Sequence, residues 1–308
     1  MIVIRELSQF PSLSHAVVTS GTFDGVHVGH QKILSRLIEA ARQDHGQSVV
    51  ISYWPHPRTV LHPEDDSLRL LSTIEERIEA LRAFGVDYLL LLPFTREFAQ
   101  FSSEEYIQQI LIEAIQTKKL VIGYDHRFGK NREGGFDYLQ KNSSRYGFTV
   151  EEIPRQDIDA VGVSSSKIRT ALEHGDVATA ARYLARPYSL TGTVVKGKQL
   201  GRTLGYPTAN VEPQEKLKLV PAQGIYAVQV KTASGTFKGM LSIGTNPTVQ
   251  GTRQTIEVNL FDFSGDLYDQ EITLFFISYL RPEQMFDGLE ALTQQLHLDK
   301  VAALQVLG

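Results

Sequence analysis

Short apolar runs alternate with amphipathic stretches through the first 185 residues of the chain. The runs at 15–20, 48–53 and 87–92 are rich in Val, Ile and Leu and are typical of buried strands. Between them, residues 73–84 repeat apolar side chains at helical spacing. Because strands and helices alternate, the pattern predicts a doubly wound parallel sheet, in which ligands bind at the carboxyl ends of the strands.

The pattern changes after Pro187. Gly and Pro there separate strand-like runs at 190–196, 225–231, 237–243, 255–261 and 272–277. No helix is predicted between these runs, so they indicate an antiparallel β-barrel or sandwich, of which we predict the barrel. A final helix is predicted to begin near Pro282, with apolar residues Met285, Phe286, Leu289 and Leu292. We therefore expect an α/β domain at 1–185 and a β domain with a terminal helix at 186–308.

Composition narrows the classes of protein that remain. The 308 residues carry 31 basic and 35 acidic side chains, a net charge of −4, and 42% are hydrophobic, an ordinary globular balance. Because cysteine is absent, disulfide frameworks, zinc ribbons, iron–sulfur clusters and thiol catalysis are excluded. No apolar run approaches the about 18 residues of a membrane span, and neither a signal peptide nor a basic stripe is visible. We expect a cytoplasmic monomer or weak homo-oligomer with no membrane or nucleic-acid partner.

The segment 21–30 (G-T-F-D-G-V-H-V-G-H) joins the first predicted strand to the first predicted helix. Glycines before a helix N-terminus let the backbone approach a phosphate closely. His27 and His30 can donate hydrogen bonds to phosphoryl oxygens as charge builds up in a transition state. The pair could alternatively be a helix cap or a chance pair. A metal site is disfavoured because no third ligand is spaced nearby.

A second candidate phosphate segment lies at 163–169 (V-S-S-S-K-I-R). Its hydroxyls and cations suit an anion at a helix start, although such a segment alone is more often only a cap. Together the two segments resemble the signatures of the nucleotidyltransferase superfamily, which transfers a nucleotide from ATP or CTP on a Rossmann-like sheet. The resemblance implies that His27, His30 and Arg169 are catalytic. It also implies that ATP is bound by Gly21, Phe23, Asp24, Gly25, Gly29, Ser164, Ser165, Ser166 and Lys167.

Two loops narrow this resemblance. Residues 53–57 (Y-W-P-H-P) end a predicted strand, where an acceptor substrate would lie, and residues 123–135 are rich in glycine and basic residues. Taken alone they are typical of a proline-rich loop and a solvated basic loop. Their order resembles bacterial FAD synthetases, which implies an FMN site at Pro55, His56, Pro57, Asp125 and Arg127. His126 stands where that family usually has Phe, and we expect it to alter packing near the site rather than abolish the chemistry.

The predicted barrel has candidate metal ligands in the segment 201–210 (G-R-T-L-G-Y-P-T-A-N). Thr208 and Asn210 are two residues apart on a predicted strand, so their side chains face one side. Two neutral oxygen ligands, completed by nucleotide phosphates, suit Mg²⁺. Glu257 lies on another predicted strand, where it could accept a proton from a substrate hydroxyl or could simply lie on the solvent face.

These segments resemble riboflavin kinases, and the similarity extends through G-I-Y at 224–226, G-T-N-P-T at 244–248, D-L-Y at 266–268 and L-R-P-E at 280–283. The resemblance implies that Glu257 is the catalytic base and that Thr208 and Asn210 bind Mg·ATP. The other implied ATP or flavin ligands are Gly201, Arg202, Gly205, Pro207, Asn246 and Arg281.

The resemblances span nearly the whole chain in the order of bifunctional bacterial riboflavin kinase/FMN adenylyltransferases. They imply that the barrel phosphorylates riboflavin with ATP to FMN, and that the parallel-sheet domain adenylylates FMN with ATP to FAD. Three alternatives remain. The chain could be a nucleotidyltransferase for another acceptor, such as a pantetheine or nicotinate compound; a flavin storage or regulatory module; or an enzyme with a single activity, given His126.

Overall fold

The computed structural model describes residues 1–154, 162–197, 200–248 and 251–308, with the backbone alone at 200, 246–248 and 251–253. Contacts divide the chain into two compact units, Met1–Ser165 and Ser166–Gly308. The contacts therefore group the residues just before Arg186 with the second unit. The domain boundary near Arg186 stays a prediction.

A six-stranded sheet forms the centre of the first unit. Its strands are β1 (Ile2–Ile4), β2 (Ala16–Ser20), β3 (Gln47–Trp54), β4 (Tyr88–Pro93), β5 (Thr117–Gly123) and β6 (Thr149–Ile153). Their order is β1-β4-β3-β2-β5-β6, and every neighbouring pair is parallel. The predicted doubly wound parallel sheet is confirmed.

Helices connect the strands of this sheet. They are α1 (Val28–Gln43), α2 (Pro57–Leu61), α3 (Ile74–Phe84), α4 (Ser103–Tyr106) and α5 (Phe136–Tyr146), and α4 continues as a π-helix over Ile107–Ala114. The start of α3 follows from its sequence, because Thr73 and Glu76 form a capping box. The end of α3 also follows from the sequence, because Gly85 adopts a left-handed conformation there.

The sheet separates two apolar layers. Ala16 and Val18 of β2 belong to one core cluster and Val17 to the other, because successive strand residues point to opposite faces. β3 and β4, the next two strands in the chain, lie on one side of β2 together with β1, whereas β5 and β6 lie on the other side. The crevice at this topological switch point is where an open α/β sheet binds ligands, and the loop after β2 begins there.

A closed antiparallel barrel forms the second unit, as predicted. Its strands are β7 (Tyr188–Val195), β8 (Ala209–Pro213), β9 (Gly224–Thr232), β10 (Gly235–Thr248), β11 (Gly251–Leu260) and β12 (Glu271–Arg281). They close in the order β10-β11-β8-β7-β12-β9. The register places Glu257 of β11 directly opposite Asn210 of β8.

Four helices accompany the barrel: α6 (Ser165–Glu173), whose first residue belongs to the first unit, α7 (Val177–Leu184), α8 (Leu200–Thr203) and α9 (Leu289–Leu307). The prediction that no helix lies among the strands was wrong, since α8 forms one turn there. The terminal helix is confirmed, but its predicted start near Pro282 was wrong. Met285 is fully exposed, and Gly288, with φ 128°, breaks the backbone just before the helix.

The position of α6 and α7 yields a test of the domain boundary. The carbonyl of Leu172 accepts a hydrogen bond from Ala222 N–H at 2.9 Å, and α7 packs on β7 and β12. We expect a fragment of residues 162–308 to melt more than about 5 °C above a fragment of 186–308, because the shorter one exposes the barrel surface that these helices cover. Circular dichroism measures both midpoints, and equal midpoints would favour a boundary at Arg186.

Candidate active sites

A buried carboxylate holds the loop between β2 and α1. Asp24 is 1% exposed and accepts hydrogen bonds from the backbone N–H groups of Leu71, at 3.0 Å, and Ser72, at 3.0 Å. The Ser72 hydroxyl donates to the same carboxylate at 3.1 Å and accepts from Gly25 N–H at 3.0 Å. The candidate phosphate loop is therefore fastened to the segment that precedes α3.

The same loop turns sharply before α1. Phe23, Gly25 and Val26 all adopt positive φ, of 49°, 82° and 41°. Such a conformation costs a non-glycine residue about 1–3 kcal/mol, so the surrounding contacts must enforce it. Because Phe23 and Val26 are buried, apolar packing is one of those contacts.

His27 and His30 lie together at the start of α1. His27 is the N-cap, since its Nδ1 accepts from His30 N–H at 3.2 Å, and the two rings stack with centroids 3.7 Å apart. Burial lowers the pKa of His30 well below its usual range, and the charges of His27 and Arg77 lower it further. The His30 imidazole is therefore neutral at neutral pH. The capping alternative is thus confirmed for His27, and it leaves a phosphate role open for the pair.

The second signature segment reaches the first at one point. Ser165 Oγ donates to the backbone carbonyl of Asp24 at 3.2 Å. Ser164 directly precedes α6, Gly29 lies buried in α1, and the remaining predicted ligands Ser166, Lys167 and Arg169 lie along α6. The roles of these residues toward ATP stay predictions.

The two predicted acceptor loops follow β3 and β5. After β3 and Pro55, His56 caps α2 by accepting from Arg58 N–H at 3.2 Å, and Pro57 is the first residue of that helix. After β5, the loop closes on itself through paired backbone hydrogen bonds between Phe128 and Gly134, at 3.0 and 2.9 Å. Asp125 and Arg127 are both exposed on this loop, and their predicted role toward FMN is not tested by these contacts.

His126 makes a polar contact at the end of β2. Its Nε2 lies 2.7 Å from Ser20 Oγ, and its ring centroid lies 5.7 Å from that of Phe128. Burial lowers the pKa of His126 to about 4, with smaller contributions from the charges of Arg127 and Arg132. A Phe could not make the hydrogen bond to Ser20 that His126 makes here. The effect of His126 on packing and on the chemistry stays a prediction.

The barrel brings its three principal predicted residues together. The Thr208 hydroxyl donates to Glu257 Oε2 at 3.1 Å, and Glu257 pairs with Asn210 across β11 and β8. A Cβ at Gly197 would overlap the Asn210 amide, so the absence of a side chain lets the preceding loop approach this amide without displacing it. The geometry thus places hydroxyl, amide and carboxylate oxygens on one patch of the barrel.

The other predicted barrel residues shape the segment before β8. A Cβ at Gly201 would lie 2.3 Å from the Tyr206 carbonyl oxygen, and the Pro207 carbonyl accepts from Asn259 Nδ2 at 2.7 Å. Gly205 and Arg202 are exposed there. Asn246 lies in β10, and its side chain is outside the described part of the chain.

Arg281 and Glu283 flank this patch. The Arg281 guanidinium binds buried Asp299 of α9 through two hydrogen bonds of 2.7 and 2.6 Å, which joins the last strand to the last helix. The flavin role of Arg281 stays a prediction. The sequence did not lead us to name Glu283 as a candidate site residue, although it belongs to the L-R-P-E segment. Burial raises the pKa of Glu283, the charge of Arg281 lowers it, and the charge of Glu257 raises it further. The carboxylates of Glu257 and Glu283 therefore interact electrostatically.

Sequence reasoning also missed Arg77 of α3, which is 0% exposed. The signal that could have found it is its position in the helical repeat, where it shares a buried face with Ile74, Ile78 and Leu81. An arginine on such a face needs a polar partner inside the protein.

A cavity of about 1290 Å³ opens elsewhere in the first unit, between the segment after β1, the end of β4 and the π-helix. None of the predicted site residues lines it. Buried polar atoms that lack partners among the described residues occur instead at His30, Arg77 and His126, near the loop after β2 and the carboxyl ends of β2 and β3.

Each unit thus carries polar residues that the sequence predicts to bind nucleotide phosphates. A family model described as FAD synthetase matches residues 9–167, and one described as riboflavin kinase matches 184–307. With the relatives below, these matches show that the chain belongs to the bifunctional riboflavin kinase/FMN adenylyltransferase family.

Similar proteins cover the chain almost end to end. A bifunctional riboflavin kinase/FMN adenylyltransferase of Pseudomonas fluorescens is 40% identical over 98% of this chain and 97% of its own. The protein of that name from Escherichia coli K12 is 37% identical over 99% and 96%. A solved Streptococcus pneumoniae structure, titled a macrolide-efflux protein, is 31% identical with a TM-score of 0.88 over 98% of each chain. In the described part of the present chain, no helix has the length and apolarity to cross a membrane.

The fastening of the loop by Asp24 can be tested directly. Asp24→Asn would place an amide NH₂ against backbone donors, so we expect the first unit to lose about 1–3 kcal/mol of its free energy of unfolding. Urea unfolding followed by Trp54 fluorescence reports on this unit, because Trp54 is the single tryptophan. Asp44→Asn, at the exposed end of α1, is the matched control. Equal losses in both variants would contradict the clamp.

Proposed function

We propose that the chain performs two successive ATP-dependent steps of flavin cofactor synthesis, one in each unit. The barrel converts riboflavin and ATP to FMN and ADP, and the parallel-sheet unit converts FMN and ATP to FAD and pyrophosphate. The observation that carries this proposal is the meeting of Thr208, Asn210 and Glu257 on one barrel patch, because a family match without that patch would fit a binding module equally well.

The kinase step follows from the chemistry of the barrel patch. The 5′-hydroxyl oxygen of riboflavin attacks the γ-phosphorus of ATP, the bond from that phosphorus to the β–γ bridging oxygen breaks, and ADP leaves. Glu257 accepts the hydroxyl proton. The hydrogen bond from Thr208 orients the carboxylate, since positioning and charge stabilisation dominate phosphoryl transfer.

The donor set of the patch fits Mg²⁺. The Thr208 hydroxyl and Asn210 amide are hard oxygen donors. Among the described residues no cluster of three or more His, Cys, Asp or Glu could hold a metal, so nucleotide phosphates would have to complete the coordination. Bound there with ATP, Mg²⁺ would neutralise charge on the phosphates.

The adenylyl-transfer step is proposed for the signature loops. A phosphate oxygen of FMN attacks the α-phosphorus of ATP, the bond from that phosphorus to the α–β bridging oxygen breaks, and pyrophosphate leaves. His27, neutral His30 and Arg169 stabilise the phosphoryl oxygens, with the N–H groups of the loop backbone as further donors. FMN lies toward residues 55–57 and the loop 123–135.

Crossed variants test the assignment of one step to each unit. Glu257→Gln removes the base, so we expect FMN formation from riboflavin to fall at least about 100-fold while FAD formation from FMN persists. His30→Asn removes a transition-state donor and should do the reverse, by about 100-fold. Chromatography of flavin products with ATP and Mg²⁺ measures both steps in each protein.

Two exposed residues supply matched controls for this experiment. Glu271→Gln changes a carboxylate at the start of β12, and His45→Asn changes an imidazole just after α1. Both should retain both activities. If Glu257→Gln makes FMN normally, the base assignment is wrong. If His30→Asn instead loses FMN formation, the assignment of steps to units is wrong.

The proposed metal ligands yield a separate expectation. Asn210→Ala removes one of two neutral ligands, so the Mg²⁺ concentration at half-maximal FMN formation should rise several-fold, whereas that for FAD formation should not change. Initial rates over a Mg²⁺ titration measure both values. A kinase rate that falls with an unchanged Mg²⁺ dependence would remove Asn210 from the metal site.

A further inference from the structure

Arg77 is an arginine enclosed in the first unit. It lies on the buried face of α3 and is 0% exposed. A buried cation is costly unless paired and hydrogen-bonded, and arginine remains protonated in proteins even where burial lowers its pKa, as it does here. A charge held in this place therefore needs a reason.

The guanidinium contacts three consecutive residues at the carboxyl end of β3. Its Nη1 donates to Ser52 Oγ at 3.3 Å and to the Tyr53 carbonyl at 3.2 Å. Its Cζ lies 5.8 Å from the centroid of the Trp54 ring. Trp54 immediately precedes the predicted acceptor loop at 55–57, so Arg77 fixes the backbone from which that loop departs.

Ser52 extends this contact to the nucleotide loop. Its hydroxyl is buried, accepts from Arg77 and donates to the Thr22 carbonyl at 3.2 Å. Thr22 lies inside the signature segment 21–30. A continuous chain of hydrogen bonds therefore runs from Arg77 through Ser52 to the loop that carries His27 and His30.

The charge of Arg77 also acts on the site. Arg77 lowers the pKa of His30, behind the larger effects of burial and of His27, and the buried Asp24 carboxylate favours the charged form of Arg77. Its Nε and Nη2 have no hydrogen-bond partner among the described residues. The guanidinium is thus only partly satisfied by the protein, and part of its positive field remains uncompensated beside the phosphate loop.

We propose that Arg77 is a positioning residue for adenylyl transfer, whose buried guanidinium joins the end of β3 to the nucleotide loop and places a fixed positive charge behind His30. This inference rests on the proposed function of the first unit. It assigns Arg77 no contact with substrate: the residue acts through Ser52, Tyr53 and His30.

Substitution of Arg77 in the full-length protein tests the proposal. In Arg77→Met we expect kcat for FAD formation from FMN to fall about 10- to 100-fold, because the loop and the acceptor segment lose their common anchor. FMN formation in the barrel of the same protein should not change. Arg82→Met is the matched control, since Arg82 is an exposed arginine on the same helix, paired only with Glu79 among the contacts described.

The titration of His30 separates positioning from a general effect on stability. The groups that face His30 are the His27 ring, the Phe23 ring and the Arg77 charge. Because a nearby cation disfavours a second positive charge, its removal in Arg77→Met should raise the His30 pKa measured by NMR. Arg77→Lys keeps the charge but lacks the planar fork, so it should restore the His30 pKa and recover kcat only in part.

Each outcome decides the proposal. A lower adenylyl-transfer kcat with a raised His30 pKa supports it. A folded Arg77→Met protein with wild-type kcat, or an equal loss in Arg82→Met, overturns it. If Trp54 fluorescence shows that Arg77→Met unfolds the first unit, Arg77→Lys serves as the test instead. A wild-type kcat in Arg77→Lys would overturn the proposal that the planar guanidinium of Arg77 positions the site. If the wild-type protein makes no FAD from FMN, the proposed function itself fails.

Discussion

The buried carboxylate of Asp24 is the interaction on which the first site depends. It gathers the backbone N–H groups of Leu71 and Ser72 and the Ser72 hydroxyl, and that hydroxyl also holds Gly25. A buried carboxylate without such donors would be too costly to keep. The same hydrogen bonds hold the loop in its left-handed turn. The contacts that stabilise the buried Asp24 carboxylate therefore also position the start of α1. This clamp therefore fastens the loop that leads into His27 and His30.

The barrel positions its site by a different physical route. Strand register, rather than a buried charge, brings Glu257 opposite Asn210, and Thr208 then completes the patch through a single hydrogen bond. The loop at Gly197 reaches the patch because no Cβ stands between it and Asn210. Neutral ligands suit a site whose substrate brings its own negative charge. Clustered carboxylates would repel the phosphates that the proposed Mg²⁺ site would share.

Local charge therefore matters more to this protein than its net charge of −4. In the first unit, burial keeps His30 and His126 neutral, whereas Arg77 retains its charge in the same interior. An imidazole gives up its proton at modest cost when it is desolvated, and a guanidinium does not. The first unit thus combines neutral imidazoles with a buried cation, whose charged form the buried Asp24 carboxylate also favours.

Periodicity predicted the two folds, because strand alternation and turn chemistry are local properties of a sequence, and short motifs predicted the order of the two sites and proposed Thr208, Asn210 and Glu257 for the barrel site. Tertiary structure alone decided which polar groups meet: Gly25 with Ser72 across 47 residues, Thr208 with Glu257 across 49, and Ser165 with Asp24 across 141. It also showed Arg77 to be buried and moved the start of the last helix from near Pro282 to Leu289. A sequence records how polar a side chain is, but its partner depends on which strands and helices come together in space.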